Sequence, residues 1–128
     1  MINERAMVPS DILTASNGKT IEIVNTDAEG RLTLADALVY ADKELKCERI
    51  IELSTLTGAV MVSLGKDLCG VWTDSDQLAS EIASISEQTK EQSWRMPLVK
   101  GYNTLLKSSI ADLKNGGIPY GGAITAGE

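Results

Sequence analysis

The strongest constraint on the fold is a change in the spacing of apolar residues on either side of the heptapeptide Asn25–Arg31 (NTDAEGR). Before it, residues 20–24 (TIEIV) alternate between polar and apolar side chains, which predicts a half-buried strand. After it, apolar residues recur at helical spacing from Leu32 to about Leu45, in two stripes that predict a largely buried helix. The heptapeptide is therefore predicted to be the loop of a strand–loop–helix unit.

Alternation of strands and helices continues along the chain. Asn17-Gly18 predicts a turn ahead of the first strand, and Asp74 followed three residues later by Gln77 predicts a helix-capping box. The other predicted elements are strands at 49–53 and 69–73, helices at 59–64, 74–90 and 102–108, and a glycine-rich loop at 116–122. This order predicts an α/β fold with a mixed, mostly parallel sheet flanked by helices.

Composition argues against nucleic-acid and membrane partners. The chain has 12 Lys and Arg against 18 Asp and Glu, a net charge of -6, so it offers no broad basic face for phosphates. The longest apolar stretch, Gly58–Leu64, is too short to span a bilayer, and no signal segment opens the chain. Cys47 and Cys69 form no disulfide framework, and they are predicted to be small core residues of a cytoplasmic protein.

The chain contains no histidine. This absence excludes Ser-His-Asp and Cys-His catalytic arrangements, together with the usual histidine-rich zinc sites. Any metal bound by this chain must therefore be held by oxygen or lysine ligands.

From local sequence alone, the heptapeptide is either a solvated acidic turn or a site. Asn, Asp and Gly populate turns for reasons of backbone geometry. If the backbone is extended, however, Asp27 and Glu29 leave from one face, about 6.5–7 Å apart at Cα. Carboxylates that close repel each other unless a cation lies between them. Both this loop and residues 54–58 (STLTG) also follow predicted strands, where ligands gather in open α/β sheets.

Three other kinds of site fit less well. The spacing of an EF-hand calcium loop is matched at positions 1, 3, 5, 6 and 12 by Asn25, Asp27, Glu29, Gly30 and Asp36. An EF-hand needs a helix before its loop, however, whereas residues 20–24 are patterned as a strand. A phosphate loop is disfavoured because two acids repel phosphate. A glycosidase pair is disfavoured because its carboxylates normally lie about 5 Å or more apart on separate elements.

Residues 25–32 (NTDAEGRL) resemble the signature of the leucyl aminopeptidase family of dinuclear metallopeptidases, the cytosol aminopeptidases. Further stretches resemble the catalytic domain of that family in the same order, at 15–22, 35–41, 54–59, 94–98, 111–112 and 121–126. The resemblance covers roughly Pro9 to Ala126. It implies that residues 1–128 are an incomplete portion of the C-terminal catalytic (peptidase) domain, without the N-terminal domain or the early part of the catalytic domain.

The resemblance implies a role for each site residue. Asp27 and Glu29 correspond to ligands of two divalent metal ions, which are zinc, manganese or magnesium. Arg31 corresponds to a catalytic arginine that holds a bicarbonate ion. The residues implied in substrate binding are Asn25, Thr55, Leu56 and Gly58. On its residues alone, STLTG is better explained as an ordinary threonine-rich loop.

The chain also departs from the family pattern. The family site needs a further lysine and two aspartates as ligands, and a second catalytic lysine, all ahead of the matched segment. Lys19 matches a position that is not a ligand, so it does not replace them. Ser10 stands where many relatives have glycine, a change expected to affect only loop geometry.

The resemblance implies a cytoplasmic metalloaminopeptidase that releases N-terminal amino acids from peptides, with Leu and other apolar residues favoured, by two-metal hydrolysis. Family members are homo-oligomers, typically hexamers. We expect this chain to be a fragment that is nearly inactive alone. The alternative is a non-catalytic metal-binding or assembly module of the same fold.

Overall fold

The predicted Asn17-Gly18 turn joins the first two strands into a hairpin. The computed structural model describes residues 3–127 and places β1 (Ile12–Thr14) antiparallel to β2 (Thr20–Glu22). A third strand, β5 (Leu113–Lys114), pairs parallel with β2, so the sheet order is β1-β2-β5. These strands belong to one compact unit, formed by the residues up to Leu56 together with Thr104–Ile118.

A reciprocal set of hydrogen bonds joins the start of β2 to the residue before β5. The backbone N and the Oγ1 of Thr20 both donate to Asp112 Oδ2 at 2.8 Å, and Asp112 N donates to Thr20 Oγ1 at 3.0 Å. The hydrogen bonds from Thr20 to the carboxylate lower the pKa of Asp112, because they stabilise its charged form. The two segments are thus fixed in register.

The helix after the heptapeptide is confirmed, but its predicted burial is wrong. It forms α1 (Gly30–Lys43), and none of its residues is buried. Leu38 and Tyr40 are among its exposed apolar side chains. The reason is tertiary, because no other helix or strand within residues 3–127 packs extensively against α1. Helical spacing predicts an apolar face but not a partner for it.

Residues 49–53 do not form the predicted strand. They are irregular, and Ile51 and Leu53 are exposed, Leu53 by 88%. A strand needs a neighbour for its backbone hydrogen bonds, and no strand of the described part of the chain pairs with this segment. Cys47 and Cys69, expected in the core, are likewise exposed free thiols.

The second unit comprises Thr57–Asn103 and the residues from Pro119. Its elements are α2 (Ala59–Leu64), β3 (Cys69–Val71), α3 (Asp76–Thr89), β4 (Ser93–Arg95) and α4 (Gly122–Thr125). β3 and β4 pair in parallel. The chain returns to the first unit along a 3-10 helix, Lys100–Leu106, near the predicted helix at 102–108. Together the two units confirm a mixed α/β fold with small sheets.

Local signals in the second unit are read correctly to within a residue or two. The apolar helix at 59–64 has the predicted bounds, and the strand predicted at 69–73 is β3. The start of α3 differs, because its N-cap is Ser75, whose Oγ accepts from Leu78 N at 3.2 Å, rather than Asp74. No helix within residues 3–127 combines the length and apolar character needed to cross a bilayer.

Ser10 provides a test of backbone strain in the first unit. Its φ is 78°, in the left-handed region, while its N donates to Ile23 O at 2.7 Å. A residue with a Cβ loses about 1–2 kcal/mol in this conformation, and a glycine avoids that loss. The larger backbone entropy that glycine loses on folding cancels about 0.5–1 kcal/mol of the gain. We expect Ser10→Gly to raise the free energy of unfolding by about 0.5–1 kcal/mol in urea titrations. Ser10→Ala, which keeps the Cβ, should not, and equal effects of both variants would contradict the strain.

Candidate functional site

The loop that carries the acidic heptapeptide starts from an anchored residue. Ile23 follows β2 and is fully buried. Its N donates to Asp11 O at 2.8 Å, and its O accepts from Ser10 N. Because both backbone groups and the side chain are held, the loop leaves the sheet at a fixed point.

Asn25 closes the first turn of the loop. Its Oδ1 accepts from Asp27 N at 3.0 Å, which forms an Asx turn, and its backbone O accepts from Ala28 N at 3.2 Å, which closes a β-turn. Asn25 is predicted to bind substrate. In the structure its side-chain oxygen makes a hydrogen bond within the loop.

Asp27 and Glu29 present exposed carboxylates at the start of α1. Glu29 is the N-cap residue, with αR backbone angles and no side-chain capping bond. Its O accepts from Leu32 N at 3.0 Å. The backbone is thus a turn and not the extended segment assumed for the spacing estimate. Both acids lie at the positive end of the helix dipole, which favours negative charge.

The two carboxylates form at most part of a metal site. No group of three or more His, Cys, Asp or Glu side chains within residues 3–127 is placed to hold a metal ion. The EF-hand alternative is excluded, because a strand precedes the loop and α1 begins at Gly30. In addition, the Asp36 carboxylate, which would be its last ligand, accepts from Ser16 N at 2.9 Å.

Arg31 lies in the first turn of α1 with its guanidinium partly buried. Its Nε is buried without a hydrogen-bond partner in the part of the chain that the structure describes. Burial lowers the pKa of this side chain, because it removes water from the charged form. A partly desolvated cation with an unused donor is suited to a planar anion, which a guanidinium can bind through two parallel hydrogen bonds.

The second predicted loop reaches the first through Leu56. A Cβ placed on Gly30 would lie 2.9 Å from Leu56 Cδ2, closer than Cβ atoms normally approach, so glycine permits this contact. Thr55, the preceding residue, is exposed. Within the first unit, Leu56 of the STLTG segment therefore lies against the start of α1.

Gly58 belongs to the second unit, where it is the N-cap residue of α2. It has no side chain to cap the helix, and Thr57 Oγ1 accepts from Ala59 N at 3.1 Å in its place. Thr57 is thus a capping residue that the sequence prediction missed.

Asn115 holds the acidic loop and was not predicted from the sequence. The residue is 2% exposed and follows β5. Its Oδ1 accepts from Val24 N at 2.9 Å and Asn25 N at 3.1 Å. Its Nδ2 donates to Asn25 O at 2.7 Å and to Ala28 O at 3.4 Å. One buried amide therefore contacts the backbone on both sides of Asp27.

Two glycines after Asn115 pack on the same loop. A Cβ on Gly116 would lie 3.5 Å from Asn25 Cβ, and one on Gly117 would lie 3.4 Å from Val24 Cγ2. Gly117 also has a φ of 79°, which glycine adopts without strain. The sequence signal was the glycine-rich loop itself, with a polar amide at its start, but nothing local connected it to the heptapeptide.

Comparisons with known proteins agree with the resemblance. A family model described as the cytosol aminopeptidase family, catalytic domain, matches residues 1–128. Probable cytosol aminopeptidases from a Picosynechococcus strain and from Acaryochloris marina are 61% and 60% identical over 98% of this chain. The solved structure of a mutant of tomato leucine aminopeptidase superimposes with a TM-score of 0.94 at 54% identity, over 98% of this chain.

The matched segment is a small part of those proteins. The chain spans 26% and 25% of the two bacterial relatives and 25% of the tomato protein chain. The similarity therefore extends through almost all of this chain and through about a quarter of each relative.

Proposed function

The chain belongs to the cytosol aminopeptidase family, and on that premise we propose that it forms part of the catalytic domain of an enzyme that releases N-terminal amino acids from peptides. Leucine and other apolar residues are the favoured N-terminal residues, and the enzyme is cytoplasmic and homo-oligomeric, a hexamer as in the family. The observation that carries the proposal is the acidic loop, in which two carboxylates without a partner in the described residues and a partly buried arginine lie within five consecutive residues, Asp27–Arg31.

Asp27 and Glu29 are proposed as two ligands of a pair of zinc, manganese or magnesium ions. Their carboxylates are exposed and accept no hydrogen bond within residues 3–127, so they are available to a cation. They do not complete a site, since no third acidic, histidine or cysteine ligand in the described residues joins them. In the family resemblance, the remaining ligands precede the matched segment. When bound, two divalent ions would supply a Lewis acid for the peptide carbonyl and a water of lowered pKa.

Arg31 is proposed to hold a planar anion, bicarbonate by resemblance to the family. The support is the unused buried Nε donor on a guanidinium that has lost part of its hydration. A bound anion would satisfy the donor and offset the cost of burying the charge.

The substrate is proposed to contact Asn25, Thr55, Leu56 and Gly58. Leu56 lies against Gly30 at the start of the helix that carries Arg31, which supports a shared role of the two loops. The support for Asn25 is its position beside Asp27, whose backbone N donates to the Asn25 side chain.

A chimeric enzyme tests the proposal. This chain replaces the matching segment of the Picosynechococcus relative, with which it is 61% identical, and hydrolysis of leucine amide is measured with Mn²⁺ or Zn²⁺. We expect kcat/KM within about tenfold of the unaltered relative, a difference of about 1.4 kcal/mol in activation free energy. The 128-residue chain alone should be nearly inactive. A folded but inactive chimera, or a chain as active alone as the relative, would contradict the proposal.

The second candidate function is a non-catalytic metal-binding or assembly module. The observations that favour it are the unpaired carboxylates and, in the second unit, the exposed side chains of Val62 and Tyr120. Titration calorimetry of the chain with Mn²⁺ separates the two functions. Micromolar binding that is lost in both Asp27→Ala and Glu29→Ala supports the module, whereas binding at about 1 mM or weaker supports an incomplete site with few ligands.

A further inference from the structure

Both the oxygen and the nitrogen of the buried Asn115 amide form hydrogen bonds with the backbone of the acidic loop. Its oxygen accepts from the amides of Val24 and Asn25, and its nitrogen donates to the carbonyls of Asn25 and Ala28. These partners lie on both sides of Asp27 in the chain. One side chain from another part of the first unit therefore holds the backbone on either side of Asp27, in addition to the local turn that Asn25 forms.

Asn115 is itself fixed to the sheet. Its backbone N donates to Glu22 O at 3.0 Å, which continues the pairing of β5 with β2. Its side chain is almost entirely removed from water, so the amide has no solvent to replace a lost partner. The hydrogen bonds thus connect the loop to the β1-β2-β5 sheet.

The chemistry of the contact specifies asparagine. A primary amide offers an acceptor oxygen and two donor hydrogens on one short side chain. Aspartate of the same shape keeps the acceptor but, when ionised, has no donor for the two carbonyls. Alanine keeps neither group.

We propose that Asn115 is a positioning residue for the metal ligands Asp27 and Glu29, an inference that rests on the proposed function of those carboxylates. Metal sites tolerate displacements of only about 0.5 Å in their ligands. Both acids lie in an exposed segment at the start of α1, and their carboxylates accept no hydrogen bond and form no ion pair within residues 3–127. The four hydrogen bonds from the Asn115 side chain hold the backbone that carries these ligands.

The first measurement is hydrogen exchange of the 128-residue chain, which requires no metal. In Asn115→Ala, exchange of the Val24 and Asn25 amides should be at least tenfold faster, because they lose their acceptor. The ladder amides of β1 and β2 should be unchanged. Asn103→Ala, a change at an exposed asparagine of the 3-10 helix, is the matched control and should leave all of these rates as they are.

The second measurement uses the same variants in the chimeric enzyme. Asn115→Ala should raise the Mn²⁺ concentration for half-maximal activity at least tenfold and lower kcat more than it changes KM. In Asn115→Asp, the defect relative to wild type should shrink as the pH is lowered from 7 to 5.5, because a protonated carboxyl regains one donor. A purely structural role would lower the unfolding temperature without this Mn²⁺ and pH dependence.

The outcomes separate the inference from the function on which it rests. Unchanged exchange of the Val24 and Asn25 amides, or faster exchange with unchanged Mn²⁺ dependence and kcat, overturns the positioning role. If Asn115→Ala does not fold, Asn115→Asp decides by its Mn²⁺ dependence and kcat alone, because it keeps an acceptor for the Val24 and Asn25 amides. If Asp27→Ala abolishes activity while the Asn115 variants retain it, only the inference fails. If Asp27→Ala remains fully active, the proposed function fails and the inference with it.

Discussion

Replacement of Asp27 by Asn, or of Glu29 by Gln, is expected to lower kcat/KM of the chimeric enzyme for leucine amide by about 10³-fold or more, about 4 kcal/mol in activation free energy. Each substitution keeps the shape of the side chain and removes the charge that a divalent cation needs. Because neither carboxylate accepts a hydrogen bond within residues 3–127, stability should change by less than about 0.5 kcal/mol. Steady-state kinetics and urea unfolding of the same preparations provide both numbers.

Glu44→Gln is the matched control for this experiment. Glu44 follows the other end of α1 and is also exposed, so the substitution removes the same charge without touching the acidic loop. Its kcat/KM should equal that of the unsubstituted chimera. Unchanged kinetics in the Asp27 and Glu29 variants would remove both residues from the site.

Substitution of Arg31 by Met is expected to have opposite effects on stability and activity. In the 128-residue chain it should raise the free energy of unfolding by about 1 kcal/mol, because it removes a partly desolvated charge with an unsatisfied donor. In the chimeric enzyme it should lower kcat by about 10²-fold, because the anion loses its guanidinium partner. Urea titration of the chain and kinetics of the chimera measure the two effects.

Two comparisons make the Arg31 experiment specific. Arg31→Lys keeps the charge but not the planar pair of donors, so activity should fall as it does in Arg31→Met. Arg5→Met removes a charge from an exposed residue and should change neither quantity. An Arg31→Met variant that is both destabilised and fully active would show that the arginine is only structural.

The elements that the sequence predicts well are those decided by local chemistry. The helix at 59–64 ends at Gly65, whose positive φ terminates it, and the Asn17-Gly18 turn closes the β1–β2 hairpin. The helix after the heptapeptide is similarly encoded in its own spacing of apolar residues. Such signals act within a few residues, so they do not depend on what packs around them.

The elements that fail depend on partners elsewhere in the chain. Residues 49–53 have the composition of a strand, but no neighbour within residues 3–127 pairs with them. The apolar stripes of α1 are at most half-buried for the same reason. Conversely, β5 has only two residues and exists because β2 lies beside it. Periodicity measures the tendency of a segment and not the presence of its partner.

The residues of the candidate site also differ in whether local sequence or a distant partner determines them. Asp27, Glu29 and Arg31 were identified by resemblance because they occur in one contiguous motif. Asn115 was not, since it lies 91 positions from Val24 and contacts the motif only after the sheet has formed. A residue whose role is to hold a backbone also has no distinctive chemistry of its own in the sequence.

The buried amide has a further consequence for the chemical ageing of the protein. Asn115 is followed by Gly116, the pair most prone to spontaneous deamidation, because the unhindered glycine nitrogen can attack the side-chain amide and release ammonia. In the folded chain that amide is engaged by four hydrogen bonds and shielded from water, whereas the Asn17-Gly18 pair is exposed to water and the Asn17 Oδ1 accepts from Lys19 N. The fold thus preserves the group that shapes its acidic loop, and each excursion to the unfolded state exposes it to permanent loss.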